Sequence, residues 1–240
     1  MDPAPDAANG RLRYRTAPSG EERTSDPRPV ERGTFEALGL GRGRDGLVYI
    51  PDSASTRGLP VLVFLHGAGG NAGRELRAVV AAADRYGVAL VAPDSRGATW
   101  DVLEGGYGPD IEFLDRVLDR VAAVLPVGLL AVGGISDGAS YALSVGLANG
   151  DLFEAVVAFS PGFAAPPTTH GRPRIFISHG TSDPVLPIDE CSRRLVPLLR
   201  RGGYPVVFRE FDGGHTVPPP VADEGLGWLV RPGTADAAGD

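Results

Sequence analysis

Runs of five apolar residues with no polar interruption, Val61-Leu62-Val63-Phe64-Leu65 and Val88-Ala89-Leu90-Val91-Ala92, recur along this chain between stretches of helical periodicity. A strand with one wet face alternates apolar and polar side chains. A strand that is apolar at every position is buried on both faces, as in a parallel sheet covered by helices. Leu129 to Val132, Ala155 to Phe159, Arg174 to Ser178 and Val206 to Phe211 add further strands, and Phe35 to Leu40 with Gly46 to Ile50 reads as an opening antiparallel pair. Helices are expected at 74–86, from about Asp110 to Leu125, after Ser136 as far as Asn149-Gly150, at 188–201, and in a short piece from Val221 to Leu229. Leu195, Leu198 and Leu199 mark the core-facing side of the helix at 188–201. The expected fold class is therefore α/β, a mostly parallel twisted sheet of about eight strands with helices on both faces.

The 240 residues, 42% of them hydrophobic, supply one well-buried core and no obvious second one. Residues 33–231 are assigned to a single domain and 232–240 to a flexible tail. Residues 1–32, where six arginines offset six carboxylates, are assigned to a disordered leader. The chain contains no lysine, which removes Schiff-base, phosphate-loop and Ser-Lys chemistry. A net charge of −7, with arginines dispersed among carboxylates, speaks against a nucleic-acid partner. Cys191 is the only cysteine, so no disulfide forms within the chain, and the four histidines show no metal-ligand spacing. There is no signal-like apolar run near the start and nothing approaching the roughly 20 apolar residues of a membrane span, so a cytoplasmic location is expected.

Gly134-Ile135-Ser136-Asp137-Gly138 lies between an apolar strand and the small-residue stretch Ala139-Ser140-Tyr141-Ala142. A serine at such a strand-to-helix apex is held in a strained conformation with its hydroxyl lifted above the sheet, the place of a nucleophile. Hydrolysis through a serine also needs an imidazole base, a carboxylate to orient it and N–H donors for the oxyanion. Among the four histidines, His215 follows the last strand through the flexible turn Asp212-Gly213-Gly214, whereas His66, His170 and His179 read as loop-holding residues. Asp183, in Gly180-Thr181-Ser182-Asp183-Pro184, lies just beyond a strand end with its backbone restrained by proline; Asp189 is the more natural cap for the following helix. The Gly-rich loop His66-Gly67-Ala68-Gly69-Gly70 offers the Ala68 N–H as one oxyanion donor, and the Asp137 N–H is the other. Trp100, Phe163 and Val185 fall on loops at the strand ends and are candidate pocket residues.

Taken together, His66-Gly67, Pro93-Asp94-Ser95-Arg96-Gly97, the pentapeptide around Ser136, Gly180-Thr181-Ser182-Asp183 and Gly214-His215 resemble the α/β-hydrolase superfamily over 34–230, and most of all its phospholipase/carboxylesterase branch. The resemblance implies a carboxylic-ester hydrolase acting on a small-molecule ester without cofactor or metal. Ser136, Asp183 and His215 would be its triad, and Ala68 and Asp137 its oxyanion pair. The connection Ser160 to Pro173, broken by prolines 161, 166, 167 and 173, is too short for a cap domain, so an open cleft suited to short-chain or aromatic esters is expected. The competing readings are a serine peptidase on the same fold and a catalytically inactive hydrolase-fold binding module.

Overall fold

The computed structural model describes residues 7–14, 30–41 and 43–231. The apolar runs become strands of one sheet: β1 (Phe35–Ala37), β2 (Gly46–Tyr49), β3 (Leu59–Leu65), β4 (Ala89–Pro93), β5 (Val127–Ile135), β6 (Ala155–Phe159), β7 (Arg174–Gly180) and β8 (Val206–Phe211). They lie side by side in the order β1-β2-β4-β3-β5-β6-β7-β8. β2 runs antiparallel to both β1 and β4, and the remaining pairs are parallel. The helices are α1 (Ala72–Glu75), α2 (Val80–Tyr86), α3 (Asp101–Glu104), α4 (Pro109–Val124), α5 (Asp137–Ala148), α6 (Ser192–Arg201) and α7 (Pro219–Val230).

Strand alternation divides the core in two. Val61, Val63, Leu65 and Val132 pack with Val117 of α4, Tyr141 of α5 and Leu195 of α6, while Leu62, Phe64, Val157 and Phe176 pack with Ala83 of α2 and Leu226 of α7. Both faces of the central strands are thereby dry, which is why their sequences carry no polar positions.

Three local expectations change. The helix expected at 74–86 is broken by a 3₁₀ turn at Leu76–Ala78, which brings Leu76 and Val79, three apart, together into the core. α6 begins at Ser192 rather than at 188, and Asp189 pairs with Arg193 instead of capping it. Leu198 is 56% exposed, because Leu195, Val196 and Leu199 already fill the inner face of that helix and position 198 falls outside it.

The leader expectation is corrected for residues 7–14, which pack onto the domain. Leu12 is fully buried, its N–H donates to Asn149 Oδ1, and Asn149 Nδ2 donates to Gly10 O. Arg11 pairs in bidentate fashion with Asp151, and the N–H groups of Arg13 and Tyr14 share Asp115 Oδ1. Asn149 therefore closes α5 with its side chain while docking the N-terminal segment. Residues 15–29 and 232–240 lie outside the described residues. Leu12→Ala is expected to cost about 2–5 kcal/mol, the usual price of a buried leucine. Chemical denaturation of the variant checks it.

Candidate active site

Strand register brings the C-terminal ends of the parallel strands to one edge: Leu65 pairs with Gly134, Ile135 with Phe159, Phe159 with Ser178, and Gly180 with Phe211. At this edge β5 turns into α5 through Ser136, whose backbone is at φ 58, ψ −122, well outside the common regions for a residue with a Cβ. The turn is held by Ser136 N–H to Phe159 O (2.9 Å) and Ser140 N–H to Ser136 O (3.0 Å). The flanking glycines are needed for close approach rather than for unusual φ. A Cβ on Gly134 would stand 2.5 Å from Leu65 O, and one on Gly138 would collide with the same carbonyl.

This packing lays the loop after β3 directly on the turn, so that a Cβ at Gly67 would come 3.3 Å from Ser136 Cβ. The loop is tied down from several sides. Gly69 N–H donates to Ala98 O (2.9 Å), Gly70 N–H to Gly67 O (3.0 Å), Trp100 Nε1–H to His66 O (2.8 Å), and Arg44 Nη2 to Gly70 O (3.0 Å). His66 is buried; its Nε2 accepts the Ser95 N–H (2.9 Å), so the ring proton sits on Nδ1 and donates to Gly67 O (2.7 Å). Burial, with Arg44 adding to it, pushes the His66 imidazole below its ordinary value and keeps it neutral. The N–H groups of Ala68 and Asp137 take no part in hydrogen bonds among the described residues, and Asp137 begins α5, where helix N–H groups are unpaired. The Asp137 carboxylate itself accepts from Thr99 Oγ1 (2.8 Å).

On the other side, the turns after β7 and β8 are stitched together by Thr181 N–H to Phe211 O and Ser182 N–H to Gly213 O, both 2.9 Å. This brings Asp183 to His215: Nδ1 of the imidazole lies 2.7 Å from Asp183 Oδ2. The other carboxylate oxygen accepts the N–H groups of Val185 and Leu186, each at 2.9 Å. Burial alone would raise the Asp183 carboxyl, but the Leu186 N–H, His215 and the Val185 N–H outweigh it and hold it below the ordinary carboxylate range. His179 packs beside it, fully buried, with Nε2 2.8 Å from Leu186 O and 3.3 Å from Asp183 Oδ2.

Of the candidate pocket residues, Val185 is 62% exposed beside Asp183 and Phe163 is half-buried on the loop after β6. Trp100 is a correction. It is 1% exposed, stacked on Tyr141, and anchors the 66–70 loop through its indole N–H rather than facing an open cleft. Sequence reasoning missed Arg44, Thr99 and the pair Ser140 and Ser144. The last two had a signal, since hydroxyls four apart on an otherwise apolar helix need buried partners. They find them in Gly162 N–H and Ala165 N–H, both at 2.9 Å.

No family model matches the chain, and no curated protein sequence matches it. Solved structures do. Esterase PE8 is 23% identical with a TM-score of 0.63, covering 77% of this chain and 96% of its own. A fluorophosphonate-binding serine hydrolase of Staphylococcus aureus, solved with substrate bound, is 16% identical with a TM-score of 0.66 over 84% of this chain and all of its own (100%). An S-formylglutathione hydrolase from Agrobacterium tumefaciens is 18% identical with a TM-score of 0.60, covering 77% of this chain and 88% of its own. With an eight-stranded, mostly parallel sheet in this strand order, overlaid by these structures along more than three quarters of its length, the chain has the α/β-hydrolase fold.

Proposed function

We propose that the protein is a serine carboxylesterase that hydrolyses short-chain or aromatic esters through an acyl-enzyme. The observation that carries this reading is the 2.7 Å contact between His215 Nδ1 and the buried Asp183 carboxylate, at the same sheet edge as the strained Ser136. The esterases and serine hydrolases among the structural neighbours support it. In this mechanism Ser136 Oγ attacks the ester carbonyl as His215 Nε2 takes its proton. Asp183, ionised at neutral pH, keeps the other ring proton on Nδ1 and stabilises the imidazolium. The unpaired N–H groups of Ala68 and Asp137 receive the developing oxyanion, His215 returns the proton to the leaving alcohol, and water repeats the sequence on the acyl-enzyme.

The loop between β6 and β7 supports the proposed substrate class. Residues 160–173 contain no helix. They are pinned to α5 by Ser140, Ser144 and the His170 N–H to Leu147 O, and Tyr107 Oη holds Ala165 O at 2.8 Å. A segment so tied does not close over Ser136. An open site leaves a long acyl chain in water and forgoes about 0.8 kcal/mol of binding per methylene. Across p-nitrophenyl acetate, butyrate, octanoate and palmitate, kcat/KM is expected to peak at the short esters, with no jump in rate at the micelle threshold. A steady rise to palmitate would refute the open cleft, and hydrolysis of peptide but not ester substrates would refute the esterase reading.

A further inference from the structure

We infer that His179 is a positioning residue for the Asp183–His215 pair, clamping the carbonyl of Leu186, the residue whose N–H holds the Asp183 carboxylate. The inference rests on the proposed roles of Asp183 and His215. Asp183 sits in a turn that folds back on itself: its Oδ1 accepts the Val185 and Leu186 N–H groups, and its Oδ2 faces His215. Two N–H groups fix the carboxylate only if the peptides that bear them are fixed. Leu186 is fixed at the following peptide unit, one Cα beyond its N–H, where Leu186 O lies 2.8 Å from His179 Nε2.

A carbonyl oxygen only accepts, so the His179 ring proton is on Nε2. Nδ1 then accepts from Ser192 Oγ, 2.7 Å away at the start of α6. The ring thus bridges the end of β7, the acid turn and α6, with the positive end of its N–H dipole also 3.3 Å from Asp183 Oδ2. Both side chains are fully shielded from solvent. Burial pushes the His179 imidazole below its ordinary value, outweighing the Leu186 carbonyl and Asp183, so the ring stays neutral and does not take over the counter-ion that His215 uses. Other groups bear on these two imidazoles or on Asp183. Glu75 of α1 acts on His215, Glu210 of β8 on His179, and Cys191, ahead of α6, on Asp183, with Glu190 acting in turn on Cys191.

The test compares His179→Leu, His179→Gln and Ser192→Ala by three readouts: the Nδ1–H proton resonance of His215 by NMR, kcat and KM on a short ester, and melting temperature. In His179→Leu the Leu186 carbonyl loses its buried donor, the acid turn relaxes and the carboxylate drifts from His215. The His215 Nδ1–H resonance is expected to move upfield, because its hydrogen bond to Asp183 Oδ2 lengthens. kcat should drop up to about 100-fold with little change in KM. His179→Gln, whose amide N–H reaches the same carbonyl, should restore both, and Ser192→Ala should shift both in the same direction by less. A lowered melting temperature with the His215 Nδ1–H resonance and kcat unmoved in both His179→Leu and Ser192→Ala would overturn the inference, reducing His179 to packing. So would a Gln variant as impaired as Leu. The Nδ1–H resonance does not depend on turnover, so an inactive wild-type protein would sink the esterase reading while the resonance still decides the role of His179.

Discussion

Ser136→Ala is expected to lower kcat for ester hydrolysis by roughly 10⁶, the loss seen when a triad serine is removed, and to abolish labelling by a fluorophosphonate. No nearby hydroxyl is available as a substitute. Ser140 Oγ is committed to Ser136 O and Gly162 N–H, while Ser160 and Ser178 are buried. The melting temperature of Ser136→Ala should stay close to that of the parent, since alanine keeps the Cβ and hence the strain of φ 58. Ser136→Gly removes that Cβ and should gain about 1 kcal/mol of stability while being equally inactive. Peptide mapping of the fluorophosphonate adduct checks the assignment directly, and an adduct on any other serine would overturn it.

Asp183→Asn is expected to lower kcat by about 10⁴ with little change in KM, because an amide in place of the carboxylate favours the wrong imidazole tautomer. The substitution is nearly isosteric, yet the Val185 and Leu186 N–H groups, which share Asp183 Oδ1, would then donate to a neutral amide oxygen, a weaker acceptor than a carboxylate. A loss of stability should therefore accompany the loss of rate. Asp189→Asn and Asp212→Asn are the controls. Asp189 is exposed and paired with Arg193, and Asp212 is exposed, so screening by water and salt should hold each within about threefold of the parent. Steady-state kinetics of the three variants on one short ester decide the matter; a loss in Asp212→Asn equal to that in Asp183→Asn would mean that the wrong carboxylate has been assigned.

Two of the supporting contacts illustrate what local sequence conveys and what it does not. The serine turn was legible because its requirements are local: an apolar strand before it, small residues after it, and glycines where Leu65 O approaches. Arg44 was not legible. It reaches His66 Nε2, Gly70 O and Ser95 O from a segment before β2, and nothing in its own neighbourhood marks it as a brace for the 66–70 loop. Trp100 was misjudged for the same reason, since an aromatic on a loop at a strand end reads alike whether it lines a cleft or anchors the loop.

By itself the sequence determined the α/β class, the strands and their burial, the sharp turn at Ser136 and the chain order of the candidate triad. Each of these follows from the period and kind of residue within a short window, where side-chain spacing and backbone sterics act directly. The sequence also singled out Asp183, which the tertiary structure brings to His215, but only the tertiary structure decided that His66 carries its proton on Nδ1 and His179 on Nε2. It alone showed that Leu12 and Arg11 belong to the domain. Those outcomes depend on hydrogen-bond partners from another turn or another segment, seven positions away for His179 and Leu186 and 137 for Leu12 and Asn149. Such partners are chosen by the sheet order that brings distant segments to one edge, not by the residues beside them.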